Sequence, residues 1–215
     1  MVIAIGNAKG GTGKSTLLLL LASYLSEKKE KIFLISMEEK GTLNLLFERS
    51  KILEHELPME YFTCDLSHAR LLISRLAEEK GAIILLEFPS LLYDENMVHL
   101  FAAPDLLICP FCYDTPTLNA SIYFACFARR IKKGIPLLFL PNRVISNASY
   151  EFREETDQVL RQIAPVSPCI FEHIGFQRIS SMNLDPRLLK RCAPLLELIY
   201  SQYLPLRGNI SIHKP

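Results

Sequence analysis

Five short apolar runs punctuate the chain: "VIAIG", "KIFLIS", "AIILLEF", "DLLICPF" and "PLLFLPN". Each is close to continuous rather than alternating, which is the pattern of a strand buried on both faces. Loop residues follow each run, and then a longer stretch with helical spacing. Helices are expected from Lys14 to about Lys28, Ser67 to Lys80, Thr115 to Lys133, Tyr150 to Ala164 and Pro186 to Tyr203. In the second of these, Leu71, Leu72, Leu76 and Glu79 set the period. The segment from Arg49 to Cys64 lacks a clear period and reads as a loop with a short strand, "MEYFTC". Strand-like and helix-like segments in alternation predict an α/β fold, a mainly parallel twisted sheet with helices on both faces.

No repeat, low-complexity segment or linker interrupts this pattern. One domain is expected over residues 1–205, with a frayed tail over 206–215 that carries Gly, Asn, His, Lys and Pro. With 215 residues, 49% of them hydrophobic, the chain can bury a core without disulfides or metals. The formal net charge of +1 gives no global field to recruit nucleic acid or acidic lipid, so any such binding needs a local patch. No apolar run approaches the roughly 20 residues of a membrane helix, and the N-terminus lacks the pattern of a secretory signal. The 6 cysteines are scattered, mostly in apolar segments, which points to reduced, cytoplasmic usage.

Candidate chemistry begins at "NAKGGTGKST", Asn7 to Thr16, between the first strand and the first helix. Gly10, Gly11 and Gly13 let backbone N–H groups turn toward an anion, and a helix N-terminus lies behind them. Strand, glycine-rich turn and helix make the P-loop arrangement. In it Lys14 reaches the β- and γ-phosphates, the Ser15 hydroxyl binds Mg²⁺, and Thr12 and Thr16 complete the phosphate contacts. The general pattern asks for Gly at position 8, where this chain has Ala8.

"KGGTGKS" resembles the deviant Walker A motif of the ParA/MinD superfamily of ATPases. That resemblance implies a P-loop NTPase fold, ATP and Mg²⁺ as cofactors, and an ATP-dependent homodimer. It also assigns Lys9, the family's signature lysine, to the phosphates bound by the partner subunit. In the first switch region the family reads D-x-D-x-x-G. Aligned on Gly41, this chain has Ser36 and Glu38 there, and Glu38 takes the place of the residue that orients the attacking water. Its extra methylene matters, because a shift of about 1 Å in a positioning group costs ~100-fold in rate. The strand "AIILLEFPS" ends on Glu87 where the family has an Asp that holds Mg²⁺ through water. An acid closing an apolar strand is hard to explain as core. Lys9, Lys14 and Glu38 are therefore the catalytic candidates, and slow hydrolysis is expected.

Asn142, in the "NR" pair after a late strand, resembles the family's adenine-binding Asn. A turn-forming Asn at a strand end explains it nearly as well. Phe171 and His173 would flank the base. "CPFC" at 109–112 reads as two packed cysteines rather than a redox dithiol, because Cys109 lies inside a strand. A relative of the nitrogenase iron protein would use cysteines to bridge a cluster between subunits, an alternative that stays open although the cysteine positions do not favour it. Arg129, Arg130, Lys132 and Lys133 end a helix and Lys190 and Arg191 lie near the last one; basic residues so placed complement a helix dipole or offer DNA a nonspecific surface, and the two readings stand level. The last residues do not read as a basic amphipathic helix, so the membrane anchor of MinD proteins is not evident. The family reading implies positioning of DNA or protein complexes, with a partner that stimulates hydrolysis. A nucleotide-binding adaptor without effective hydrolysis and a dethiobiotin-synthetase-like ligase are the rivals.

Overall fold

The computed structural model describes residues 1–38, 40–90 and 95–205; Glu39 and the expected frayed tail lie outside the described residues. The apolar runs become strands β1 (Val2–Ile5), β2 (Ile32–Ser36), β4 (Ile83–Glu87), β5 (Leu106–Phe111) and β6 (Leu137–Pro141). The short run "MEYFTC" supplies β3 (Glu60–Thr63). All six pair in parallel, in the order β3-β2-β4-β1-β5-β6. Five of them are buried throughout, and β3 at the edge is not. A central parallel strand is covered on both faces, so both of its side-chain sets are apolar.

Two cores follow from the period-2 alternation. Ile3, Ile5, Leu34, Leu85, Ile108 and Leu140 face one layer. Val2, Ala4, Phe33, Leu86, Cys109 and Phe139 face the other. The first layer holds α1 (Lys14–Glu27), α2 (Thr42–Ile52), α8 (Pro186–Arg191) and α9 (Ala193–Tyr203). The second holds α3 (Leu66–Leu76), α4 (Glu95–Ala102), α5 (Thr115–Ile131) and α6 (Arg153–Ile163). A single helical turn, α7 (Ile174–Gln177), lies between α6 and α8. Every residue from Leu17 to Leu25 of α1 is buried. A helix apolar all round must be enclosed, and α1 lies between the sheet and α2, α8 and α9.

Several boundaries differ from expectation for local reasons. Arg49–Ile52, expected in a loop, closes helix α2. The helix expected over Pro186–Tyr203 is two, broken at Cys192. Pro194 lacks an N–H and its ring crowds the carbonyl four residues earlier, so a continuous helix cannot pass it. Helix α3 stops at Leu76 rather than Lys80, ahead of a turn in which Gly81 takes φ +78°.

Candidate functional site

The strand order sets the site. From β1 the chain moves to one side for β2, β3 and β4, then crosses β1 to β5 and β6. Open parallel sheets bind ligands at the C-terminal edge near such a reversal. There the register places Ser36 beside Glu87 and Ile5 beside Glu87, so β2, β4 and the loop leaving β1 deliver polar groups to one point.

The glycine loop after β1 is built for close approach. Gly13 has φ +88° and caps α1, and a Cβ there would lie 2.3 Å from Asn142 Nδ2. Asn142 Nδ2 donates to the Thr12 carbonyl at 2.8 Å, and Arg143 Nη1 donates to the Gly11 carbonyl at 3.4 Å. The Asn-Arg pair after β6 therefore clamps two consecutive carbonyls of the loop. Asn142 borders the cleft, with one N–H of its amide committed to the loop.

At the floor of the cleft, Lys14 is 7% exposed and its Nζ donates to Ser90 Oγ at 2.8 Å. Burial pulls its pKa below the usual lysine range, and the Glu87 carboxylate only partly offsets this. Glu87 is 3% exposed. It accepts from Ser15 Oγ at 2.5 Å and from Ser36 Oγ at 3.2 Å. Burial pushes its carboxyl up, against those two hydroxyls and Lys14, while Glu38 pushes it further up. Among the described residues the buried Thr12 hydroxyl has no hydrogen-bond partner. An ammonium held by a neutral hydroxyl beside a glycine cradle fits an anion. A buried carboxylate and a serine hydroxyl in contact supply hard oxygen ligands of the kind Mg²⁺ takes.

Lys14, Ser15, Thr16, Glu38, Glu87, Ser90 and Asn142 line one cleft of ≈ 480 Å³, within the range of small-molecule sites. Gly10, Gly11 and Gly13 border it too, whereas Thr12 lies behind, fully buried. Glu38 is exposed at the mouth, and Gly41 N–H donates to its carbonyl at 2.9 Å. Lys9 is exposed and lies outside the cleft lining.

The far end of the cleft was only faintly legible. Phe171 and His173 line it there, joined by Glu172, Phe176 and Gln177. Val144 pairs with Phe171, extending the β6 line beyond the sheet, and Arg143 Nη2 donates to Glu172 Oε1 at 3.3 Å. His173 Nδ1 accepts from Gly175 N–H at 3.0 Å, which puts its ring proton on Nε2. Ser90 escaped sequence reasoning altogether; its one signal is its place just after the proline that ends "EFP".

The other candidates separate cleanly. Cys109 is fully buried, and that burial pushes its thiol up to about 12; Cys112 is a half-buried free thiol. Among the described residues no group of His, Cys, Asp or Glu could hold a metal ion on its own. Lys132 Nζ donates to the Ala102 and Pro104 carbonyls at 3.0 and 2.7 Å, so it ties α5 to the loop before β5. Arg129, Arg130 and Lys133 remain exposed. No described helix is long and apolar enough to cross a membrane.

Comparison with known proteins agrees with this geometry. No curated protein sequence matches the chain significantly. Among solved structures, a plasmid partition protein from Borrelia burgdorferi bound to AMPPNP superposes with a TM-score of 0.70 at 18% identity, covering 94% of this chain and 98% of its own. The ParA family ATPase from Chlorobium tepidum gives 0.72 at 16%, covering 92% and 96%. The septum site-determining protein MinD from Pyrococcus horikoshii, complexed with Mg-ADP, gives 0.73 at 15%, covering 98% and 99%. At those identities the likeness shows the fold, that of the ParA/MinD P-loop NTPases. The model of the CobQ/CobB/MinD/ParA nucleotide binding domain matches residues 3–184, and the chain therefore belongs to that family.

Proposed function

We propose that this chain binds Mg·ATP in the cleft at the head of β1 and α1, and that two copies close around their nucleotides. One observation carries the reading: a buried Lys14, a Ser15–Glu87 contact and the glycine cradle converge in a single cleft. Lys14 and the loop amides of Gly10 to Ser15 bind the phosphates, with Thr16 beside them. Ser15, and Glu87 through a water, hold Mg²⁺, which when bound neutralises phosphate charge. The shelf formed by Asn142, Phe171 and His173 takes the adenine, with Asn142 Oδ1 as acceptor for its amino group. The MinD and Borrelia structures, named with Mg-ADP and AMPPNP, support the choice of ligand.

Lys9, exposed beside the cleft, is free to reach phosphates bound by a second copy. Glu38, at the mouth, is the group placed to orient water. Such a cycle suits positioning of DNA or a protein complex, with a partner that speeds hydrolysis. The exposed Arg129, Arg130 and Lys133 are available to a DNA surface; Lys132 is not. We read residues 1–205 as one domain.

A second reading has an observation of its own. Ser36 is fully buried and its hydroxyl is spent on Glu87 and on the Glu38 N–H, so no carboxylate stands there. This favours an adaptor that binds ATP and hydrolyses it slowly or not at all. Equilibrium dialysis with Mg·ATP tests the main reading. Wild type is expected to bind, and Lys14→Ala to lose at least about 100-fold, as removal of a charge-assisted phosphate contact does. Equal binding by both proteins would remove the cleft from the account.

A further inference from the structure

The P-loop is braced from two sides that share no residue. On one side Asn142 and Arg143 hold the carbonyls of Thr12 and Gly11. On the other, Asn7 holds the start of the loop. Asn7 is fully buried, and both its amide oxygen and its amide nitrogen are engaged. Oδ1 accepts from the Lys9 backbone N–H at 2.8 Å. Nδ2 donates to the Pro110 carbonyl at 2.8 Å and to Ser121 Oγ at 2.7 Å. Ser121 in turn donates to the Thr117 carbonyl at 2.7 Å, inside α5. Gly6 lets α5 come this close, since a Cβ there would lie 2.3 Å from the Phe124 ring.

We infer that Asn7 is the positioning residue of Lys9, fixing the backbone of that lysine against β5 and α5 rather than against the phosphate cradle. The inference rests on the reading that Lys9 acts on the nucleotide of a second copy. The Lys9 side chain is exposed, so its aim depends on the backbone from which it projects. An Asx-type bond from residue 7 to the N–H of residue 9 fixes that backbone. A buried amide engaged at both its oxygen and its nitrogen is stiff and costly to disturb. The cradle of Gly11 to Lys14 keeps its own clamp when Asn7 is changed. Reach across the interface should therefore fail while the grip on the chain's own nucleotide survives.

The test measures two quantities on the same proteins: ADP affinity, and the dimer dissociation constant in Mg·ATP. Asn7→Ala removes the amide. Asn7→Ser restores an acceptor for the Lys9 N–H in the shorter turn that serine makes. Ser121→Ala removes one anchor and leaves Oδ1 in place, and it carries the test if Asn7→Ala does not fold. Expected for Asn7→Ala is a dimer weakened by about tenfold or more, the effect of one lost hydrogen bond, with ADP affinity within about threefold of wild type. Asn7→Ser should recover most of the dimerisation, and Ser121→Ala should weaken it while sparing ADP. The inference is overturned if Asn7→Ala dimerises like wild type, or if it loses ADP affinity in step with dimerisation; where Asn7→Ala does not fold, the same two outcomes for Ser121→Ala overturn it. Wild type that stays monomeric in ATP overturns the Lys9 reading along with it, whereas a dimeric wild type with an indifferent Asn7 sinks this inference alone.

Discussion

At the scale of single residues, the site is governed by burial of charge. Lys14 and Glu87 are both drawn out of water, and burial is the first cause of the pKa displacement of each. The upward displacement of Glu87 already includes the attraction of Lys14, so its ionised form is a net cost to the folded chain. Below the ordinary carboxylate range both folded and unfolded chains hold the proton, and nothing is lost. As pH rises through the folded value the unfolded chain ionises more freely, and stability falls. Without nucleotide, Glu87→Gln should therefore gain stability relative to wild type as pH rises from the acid side of the carboxylate range to pH 7. Thermal melts across pH check the sign, and a wild type that gains on the variant over that rise would contradict it. The same variant should lose the Mg²⁺ dependence of ATP binding. Gly13→Ala is the companion at the loop. A side chain there meets both a left-handed backbone and the Asn142 amide 2.3 Å away. Urea unfolding should show a loss of more than about 1 kcal/mol, with weaker ATP binding.

At the scale of elements, local pattern and long-range contact divide what could be read. The glycine loop was legible because its chemistry lies within ten consecutive residues. Glu87 was legible because an acid at the end of an apolar strand has no use in a core. The clamp of Asn142 on Thr12 was not, because 130 residues separate its ends and only the β5–β6 pairing brings them together. Helix α2 escaped because its buried stripe, Leu43, Leu46 and Ser50, includes a serine. That serine donates to the Leu46 carbonyl and accepts from Met182 N–H, so it is satisfied in place. Helix α5 sits where two roles meet. Asp114 caps it by accepting from the Thr117 N–H at 2.9 Å, and Ser121, one turn further, holds Asn7. Asp114→Ala should cost about 1 kcal/mol in denaturant unfolding, as loss of an N-cap does. Because the sheet edge and the cradle stand apart from that cap, ATP affinity should stay within about twofold of wild type, the size of a few tenths of a kcal/mol.

At the scale of the whole molecule, the fold sets the proposed nucleotide cradle apart from the groups proposed to act on the bound nucleotide. The sheet order assembles the cradle from β1, β4 and β6 within one chain, whereas the groups that would act on the γ-phosphate stand at the exposed rim. Lys9 and Glu38 are both exposed, and Ser36, where the family carries a carboxylate, is buried and neutral. A single copy thus carries the proposed cradle and leaves Lys9 exposed. The direct measurement is the mass of the protein in solution with Mg·ATP, with Mg·ADP and without nucleotide, for wild type and Lys9→Ala. The account predicts a dimer for wild type in Mg·ATP alone, and a monomer under all three conditions for Lys9→Ala, which still binds ATP. Wild type and Lys9→Ala dimerising equally in Mg·ATP would contradict it.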